Sequence, residues 1–388
     1  MQFNIVAKTM MGLEEVLAEE IKLLGGKNIT IGKRSVHYTG DQMLLYKSNL
    51  YLRTALRVLK PISSFNVHNE DELYRNAKNI DWSFIEDNQT FAVESTVNSG
   101  HFRHSKYAAL LIKDAIVDQK REKKGIRPNV DISSPDYRIH LHINQEEASI
   151  SLDSSGDSLH RRGYRARQNM APLNEVLAAG LIITAGWMGR GIFTDPMCGS
   201  GTIPIEAAMI AKNIPCGYLR NEFGFMNWFD FDSNLWGDIL KEAEENIIPN
   251  PDVKIIGSDF SSQYIDTSIN NAKLAGVDNV TSFETANIQN FFPPSTDTSA
   301  LTIMNPPYGE RMSINDIQSF YKSIGDRLKE AYTNYDVWIL SSNKDALKSV
   351  GLRTSRRLAF QNGPLEVKFH KYELYRGSKK AKAKAERD

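Results

Sequence analysis

Two cysteines, Cys198 and Cys216, are all that the 388 residues contain. That is too few for a disulfide framework or a cysteine-based zinc site. The eight histidines show no ligand spacing such as His-Glu-x-x-His, so no metal is expected. No run of about 18 apolar residues is present, which argues against a membrane span and a membrane partner. Met1 to Met11 lacks the charged-then-apolar pattern of a secretory signal, so a cytoplasmic protein is expected. Net charge is missing too: 47 Lys plus Arg stand against 47 Asp plus Glu. A nucleic-acid partner must therefore be argued from where the charges sit, not from their total. What is present is ordinary globular usage, 41% hydrophobic and 24% charged. The length suits two or three domains at about 150 residues each. The sequence is silent on oligomeric state.

Two styles of patterning divide the chain. In the first 160 residues short strands and helices are mixed. Phe3, Ile5 and Ala7 alternate with polar residues, which predicts a strand. Leu13, Val16, Leu17, Ile21 and Leu24 share a helical face that ends at Gly25-Gly26. Strands are expected at 54–61, 90–96 and 137–144, and helices at 71–79 and 105–119. This is an α+β arrangement. A polar, turn-rich stretch at 153–158 leads into an arginine-rich one, Leu159 to Arg167.

From Pro172 onward helix and strand alternate. Helices are expected at 173–187, 204–212, 262–275 and 316–331. Strands are expected at 192–194, 254–257, 280–284, 301–304 and 337–340. Such alternation predicts an α/β domain built on a parallel sheet. Strands 357–360 and 367–374 flank Gln361-Asn-Gly-Pro364 and predict a closing antiparallel hairpin. The tail from 377 to 388 is rich in Lys and Ala, and a mobile segment is expected there.

Three motifs carry the chemistry. Asp195-Pro-Met-Cys-Gly-Ser-Gly-Thr202 follows a strand and opens a helix. Its glycines permit a tight turn and let backbone N–H groups approach a ligand. Pro204 stands where a dinucleotide fingerprint needs its third glycine, and no Gly-Lys-Ser/Thr phosphate loop is present. An acid at the first strand's end suits a ligand with a positive amino group. Asp259 ends the next strand, where a carboxylate can accept both ribose hydroxyls of a nucleoside. As a lone residue it reads equally well as a helix cap. Asn305-Pro-Pro-Tyr308 closes a third strand. Its prolines lock the backbone and so fix two acceptors, the Asn305 side-chain oxygen and the Pro306 carbonyl. Two fixed acceptors can grip the hydrogens of a planar exocyclic amine, while Tyr308 offers a stacking face.

In this order the three motifs resemble those of the class I methyltransferases that use S-adenosylmethionine. Further stretches resemble one group within them. These are Arg162-Gly-Tyr-Arg165, Ala171-Pro-Leu173, Leu177-Ala-Ala179, Asn305 through Arg311, and Asn362-Gly-Pro-Leu-Glu366. The group is the THUMP-domain RNA guanine-N2 methyltransferases, especially those acting on large-subunit ribosomal RNA. The resemblance implies a ferredoxin-like part at 1–60 and a THUMP RNA-binding domain at 50–155. An arginine-rich linker at 156–171 and a Rossmann-like methyltransferase domain at 172–376 would follow. It implies catalytic roles for Asn305, Pro306, Pro307 and Tyr308. S-adenosylmethionine would lie against Asp195, Met197, Gly199, Ser200, Gly201, Asp259, Phe260, Asn287 and Ile288. Asn287 stands where Asp is commoner in such enzymes.

Local charge supplies candidates for RNA contacts. From His101 to Arg127 eight Lys or Arg face three acids, a net of +5. Arg103, Lys106, Lys120, Arg121, Lys123 and Lys124 are the candidates there, joined by Arg161, Arg162, Arg165 and Arg167. A solvated helix face is the competing reading of the first set. Seven aromatics lie between Tyr218 and Trp236. They read as the core of an insertion packed on the sheet before they read as a base-stacking platform. The expected reaction is methyl transfer to the N2 of a guanosine, in 23S ribosomal RNA. The alternatives are a tRNA guanosine-N2 enzyme, a DNA adenine-N6 enzyme, and a non-catalytic RNA-binding assembly factor.

Overall fold

The computed structural model describes residues 1–165, 172–297, 300–307 and 314–375. They fall into two compact units. The first comprises Met1–Thr9, Leu17–Arg161 and Arg220–Glu242; the second comprises Met10–Val16, Arg162–Leu219 and the chain from Ala243 onward. Each is described separately.

In the first unit the chain runs β1 (Phe3–Lys8), α1 (Glu14–Leu23), β2 (Lys27–Gly32), β3 (Ser35–Gly40), α2 (Gln42–Tyr51) and β4 (Arg57–Asn66). It continues through α3 (Glu70–Lys78), β5 (Thr90–Asn98), α4 (Ser105–Lys124), β6 (Asn129–Val130), β7 (Tyr137–Asn144) and β8 (Glu147–Asp153). All eight strands join one sheet, in the order β2-β3-β1-β4-β8-β7-β5-β6. The alternation in β7 shows how the layer forms. Tyr137, Ile139, Leu141 and Ile143 are fully buried, while Arg138, His140 and His142 on the other face are only partly buried. Burial, with the nearby Lys8 charge second, pushes His140 down to about 4.

Five of these elements escape a reading by periodicity: β2, β3, α2, β6 and β8. β2 lies at the sheet's edge, with no residue buried, so its alternation is weak. α2 buries polar Ser48 and Asn49 together with its leucines, which blurs its apolar stripe. Asn49 Nδ2 donates to Ser154 Oγ at 2.8 Å, and Ser155 Oγ donates to Asn49 Oδ1 at 2.7 Å. A buried polar network thus ties α2 to the end of β8.

The aromatic segment belongs to this first unit. Phe225 stacks on Tyr46 of α2 with ring centroids 4.3 Å apart, and Trp236 meets Phe225 edge-on at 5.2 Å. Phe223, Phe225, Trp228 and Trp236 are buried. The rings are core, as expected, but the sheet they pack with is the N-terminal one. Only Phe229, two-thirds exposed, stands out.

The second unit holds α5 (Glu175–Thr184), β9 (Gly191–Asp195), α6 (Thr202–Ala211), the end of α7 (Ser233–Glu245), β10 (Val253–Asp259), α8 (Ser262–Leu274) and β11 (Thr281–Thr285). After these come β12 (Ala300–Met304), α9 (Ile314–Ala331), β13 (Tyr335–Ser341), α10 (Lys344–Ser349), β14 (Arg356–Asn362) and β15 (Leu365–Leu374). Its sheet runs β11-β10-β9-β12-β13-β15-β14. The first five strands are parallel, and β15 is antiparallel to both its neighbours. This is the expected Rossmann-like sheet with a closing hairpin. The order reverses at β9, whose two neighbours are β10 and β12. Ligands in open α/β sheets bind beyond the strands' carboxyl ends at such a switch point. The expected tail, 377–388, lies outside the described residues. No helix among the described residues is long and apolar enough to cross a membrane.

Candidate active site

Three strand ends build the site. β9 ends in Asp195, β10 in Asp259, and β12 in Met304 just before Asn305. Beneath them Thr194 and Thr302 share a buried 2.7 Å hydrogen bond that fixes β9 against β12.

The loop after β9 is held by backbone and side chains together. Gly199 and Gly201 adopt φ of +54° and +82°. At Gly201 a Cβ would also meet Ser268 Cβ of α8 at 3.0 Å, so a side chain there is excluded twice over. The Gly199 N–H donates to Asp259 Oδ2 at 3.1 Å. Ser268 Oγ donates to the Gly199 carbonyl at 2.8 Å, and Asn271 Nδ2 to the Ser200 carbonyl at 3.0 Å. These two polar positions on α8 carried no signal in the sequence, because an Asn or Ser inside a helix usually faces water.

Around this loop lies a cavity of about 510 Å³. Of the residues expected to hold a cofactor, Asp195, Met197, Gly199, Ser200, Asp259, Phe260, Asn287 and Ile288 line it. Gly201 does not; it is the N-cap of α6. Asn305 and Pro307 line the same cavity, while Pro306 is buried. Pro172, Tyr264 and Phe320 also line it, contributed by segments whose approach no local pattern reveals. Tyr308 and Arg167 lie outside the described residues.

The cavity's electrostatics are one-sided. Among the described residues its lining holds two carboxylates, Asp195 and Asp259, and no lysine, arginine or histidine. Burial raises the Asp195 carboxyl well above the ordinary carboxylate range; the Met197 N–H opposes the shift and the Asp259 charge adds to it. A cationic ligand would relieve both. Asn305 Oδ1 is buried and accepts no hydrogen bond among the described residues. A buried acceptor without a donor costs about 1–3 kcal/mol, so it is suited to a donor that arrives with a ligand.

Three basic residues expected at RNA sit elsewhere. Arg162 is 1% exposed; its Nε donates to Glu206 Oε1 at 3.4 Å, and the Tyr164 hydroxyl donates to the same oxygen at 3.1 Å. Arg165 is partly buried and pairs with Glu175; it also donates to Ser200 Oγ at 3.2 Å, Thr202 Oγ1 at 2.9 Å and the Leu173 carbonyl at 3.1 Å. Lys120 is 3% exposed and donates to the Ile85 carbonyl and to Asp87 at 3.3 Å. The arginines spend their charge on buried Glu206 and Glu175, and the Lys120 ammonium is itself buried against the Ile85 carbonyl, so the RNA-contact expectation is corrected for these three. Arg103, Lys106, Arg121, Lys123, Lys124 and Arg161 are exposed. Lys123 faces Asp81, Lys124 faces Asp87 and Arg161 faces Asp157, in exposed pairs that hold loosely. Among the described residues no group of three His, Cys, Asp or Glu side chains could hold a metal ion.

Residues 162–371 match the family described as RMKL-like, methyltransferase domain. The chain belongs to the RMKL-like methyltransferase family. Residues 67–153 match the THUMP domain, and residues 4–59 the RlmL ferredoxin-like domain. A candidate RNA methyltransferase of Synechocystis, slr0064, is 37% identical over 371 residues, 95% of this chain and 96% of that protein. The ribosomal RNA large subunit methyltransferase K/L of Syntrophotalea carbinolica is 35% identical over 94% of this chain and 52% of its own. This chain therefore spans about half of that relative. Among solved structures, SMU.472, a candidate methyltransferase complexed with SAH, shares 27% identity with a TM-score of 0.87, covering 97% of this chain and 99% of its own.

Proposed function

We propose that this methyltransferase moves a methyl group from S-adenosylmethionine to the exocyclic N2 of a guanosine in large-subunit ribosomal RNA. The observation that carries the reading is the orphaned oxygen of Asn305, a residue that lines the same cavity as the glycine loop and Asp259. The residues present fit the cofactor. Asp195 receives its amino group, Asp259 its ribose, and the backbone at Gly199 lies open toward it, with nothing within 4 Å of a Cβ built there. The Asp195 carboxylate suits the ligand's ammonium group, and the Asp259 carboxylate suits its ribose hydroxyls, which donate hydrogen bonds. When bound, the cofactor supplies a methyl group made electrophilic by a sulfonium.

What remains for the protein is positioning. Asn305 Oδ1 and the Pro306 carbonyl accept the two hydrogens of the amine. Held so, its lone pair turns out of conjugation with the base and points toward the methyl. Tyr308 is the proposed stacking face. Among the described residues the cavity lining contains no histidine that could serve as a base, and none is required. The nitrogen becomes acidic only as the new bond forms, and its proton leaves to water. The choice of ribosomal RNA is supported by the likeness to the K/L relative and by the match to the THUMP domain, and that of guanine by the resemblance of the motifs.

The test is methyl transfer from labelled S-adenosylmethionine to deproteinised large-subunit ribosomal RNA, followed by mass spectrometry of its nucleosides. N2-methylguanosine is expected. N6-methyladenosine, or no incorporation into any RNA, would overturn the reading.

A further inference from the structure

A second cavity of the methyltransferase unit, about 480 Å³, lies between α10 and the closing hairpin. Lys344, Lys348, Arg357, Lys368 and His370 line it above a floor of three leucines, and among the described residues its lining holds no carboxylate. The sequence around it is equally one-sided. From Lys344 to Lys371 seven Lys or Arg stand against two acids, in a chain of zero net charge.

Register and helix length explain the opening. Arg357 pairs with His370 and Ala359 with Lys368, so these four side chains share one face of the hairpin. On that face Val337, Ile339 and Tyr372 pack into a core with Ala346 and Leu347 of α10. α10 has only six residues. It covers this inner part and leaves the outer strands bare.

The cations here are not all consumed. Lys348 reaches Asp345 at 2.8 Å across exposed side chains, and half-buried Lys368 reaches exposed Glu366 at 2.5 Å. Arg357 Nε donates to Thr354 Oγ1 at 2.8 Å, which aims the guanidinium. Neither Arg357 nor Lys344 has an ion-pair partner among the described residues. His370 Nδ1 is buried without a hydrogen-bond partner. Burial, then the charges of Arg357 and Lys368, hold its pKa below the ordinary histidine value. Asp345 and Glu366 answer part of this positive field from outside the cavity lining, and Arg357 adds to it without an ion pair among the described residues.

The groove is also in line with the methyl-transfer site. Met304, Ile339, His370 and Arg357 form one cross-strand row through β12, β13, β15 and β14. Three strand spacings place the Arg357 backbone about 14 Å from that of Met304, next to Asn305. An RNA strand offering a base at Asn305 can lay a neighbouring stretch of backbone over this distance.

We infer that the groove between α10 and the closing hairpin is a docking site for the sugar-phosphate backbone of the RNA substrate, with Lys344 and Arg357 as its principal phosphate contacts. The inference rests on the proposed RNA function and names where that RNA lies. It is tested by filter binding of deproteinised large-subunit ribosomal RNA to the full chain with SAH present, across a salt series. The double variant Lys344→Ala/Arg357→Ala should bind about tenfold more weakly at ~0.15 M salt. The slope of log affinity against log salt should fall by about 1.5–2, two phosphate contacts' worth. The charge-keeping variant Lys344→Arg/Arg357→Lys should retain the wild-type slope. SAH affinity and melting temperature report an intact fold, and both positions are exposed. Unchanged RNA affinity and slope in the alanine variant would overturn the groove alone. Failure of the wild-type chain to bind RNA would overturn the functional reading together with it.

Discussion

Arg165 and Thr202 are joined by a 2.9 Å hydrogen bond from the guanidinium to the hydroxyl at the first residue of α6. The same guanidinium reaches Ser200 and the Leu173 carbonyl and pairs with Glu175. One side chain thus pins the glycine loop to the start of α5 and to the cavity wall.

Arg165→Ala should therefore weaken SAH binding by at least about tenfold, because hydrogen bonds to a charged group contribute about 1.5–3 kcal/mol each and the loop loses two. Arg165→Lys should restore little, since a point charge cannot serve a forked donor. The salt slope of RNA binding should stay as in the wild type. Calorimetry with SAH and a salt series with RNA separate the two effects. A changed slope with normal SAH affinity would return Arg165 to the RNA surface.

Asn305→Ala should leave SAH affinity near normal and cut methyl transfer at least about 100-fold, the scale of losing one group that acts on the reacting atoms. Asn305→Asp keeps the shape and adds a third carboxylate to a cavity that already holds two. It should be as slow as the alanine variant. Single-turnover transfer with saturating cofactor measures both; a wild-type rate in either removes Asn305 from the reaction.

The glycine loop, Asp259 and Asn305 were legible because ligand chemistry dictates local backbone there. Positive φ needs glycine, and a rigid corner needs proline. The parallel sheet was legible because short strands with apolar cores alternate with helices from Pro172 onward. Arg162, Arg165 and Lys120 were misread because a charge run looks the same whether its members face water or a buried acid or carbonyl. Only tertiary structure brings Glu206 and Glu175 beside the two arginines. Ser268 and Asn271 were invisible for the same reason. The aromatic segment was recognised as core, yet its partner Tyr46 lies 179 positions before Phe225 in the chain, beyond the reach of any periodic pattern.

Phe225 is fully buried between Tyr46, Phe223 and Trp236. Phe225→Ala should destabilise the first unit by about 3–5 kcal/mol, the usual loss for a buried aromatic. RNA affinity, measured well below the melting transition, should be unchanged. Denaturant melts and filter binding check the pair of outcomes. Lost RNA affinity at wild-type stability would make the segment a stacking platform after all.

Asp195 is a case in which binding opposes folding. Its pKa is raised in the folded chain, by burial first and then by the Asp259 charge, against the opposing Met197 N–H. Between the unfolded and the raised values the folded state holds more protons. Stability from this group is therefore complete below the unfolded value, near pH 4, and is lost as pH rises through the raised one. Asparagine has no such proton to lose. Asp195→Asn should then raise the melting temperature of the ligand-free protein at alkaline pH, by a margin that shrinks as pH falls toward about 4. It should also weaken SAH binding at least about tenfold at neutral pH, since the carboxylate that answers the ligand's amino group is gone. In the wild type SAH affinity should strengthen with rising pH as Asp195 ionises, and in the variant this dependence should flatten. Calorimetric melts and titrations over the same pH series read all three trends. A variant that melts below the wild type at alkaline pH, or binds SAH equally well, would show that the buried carboxyl is held charged by partners other than the ligand.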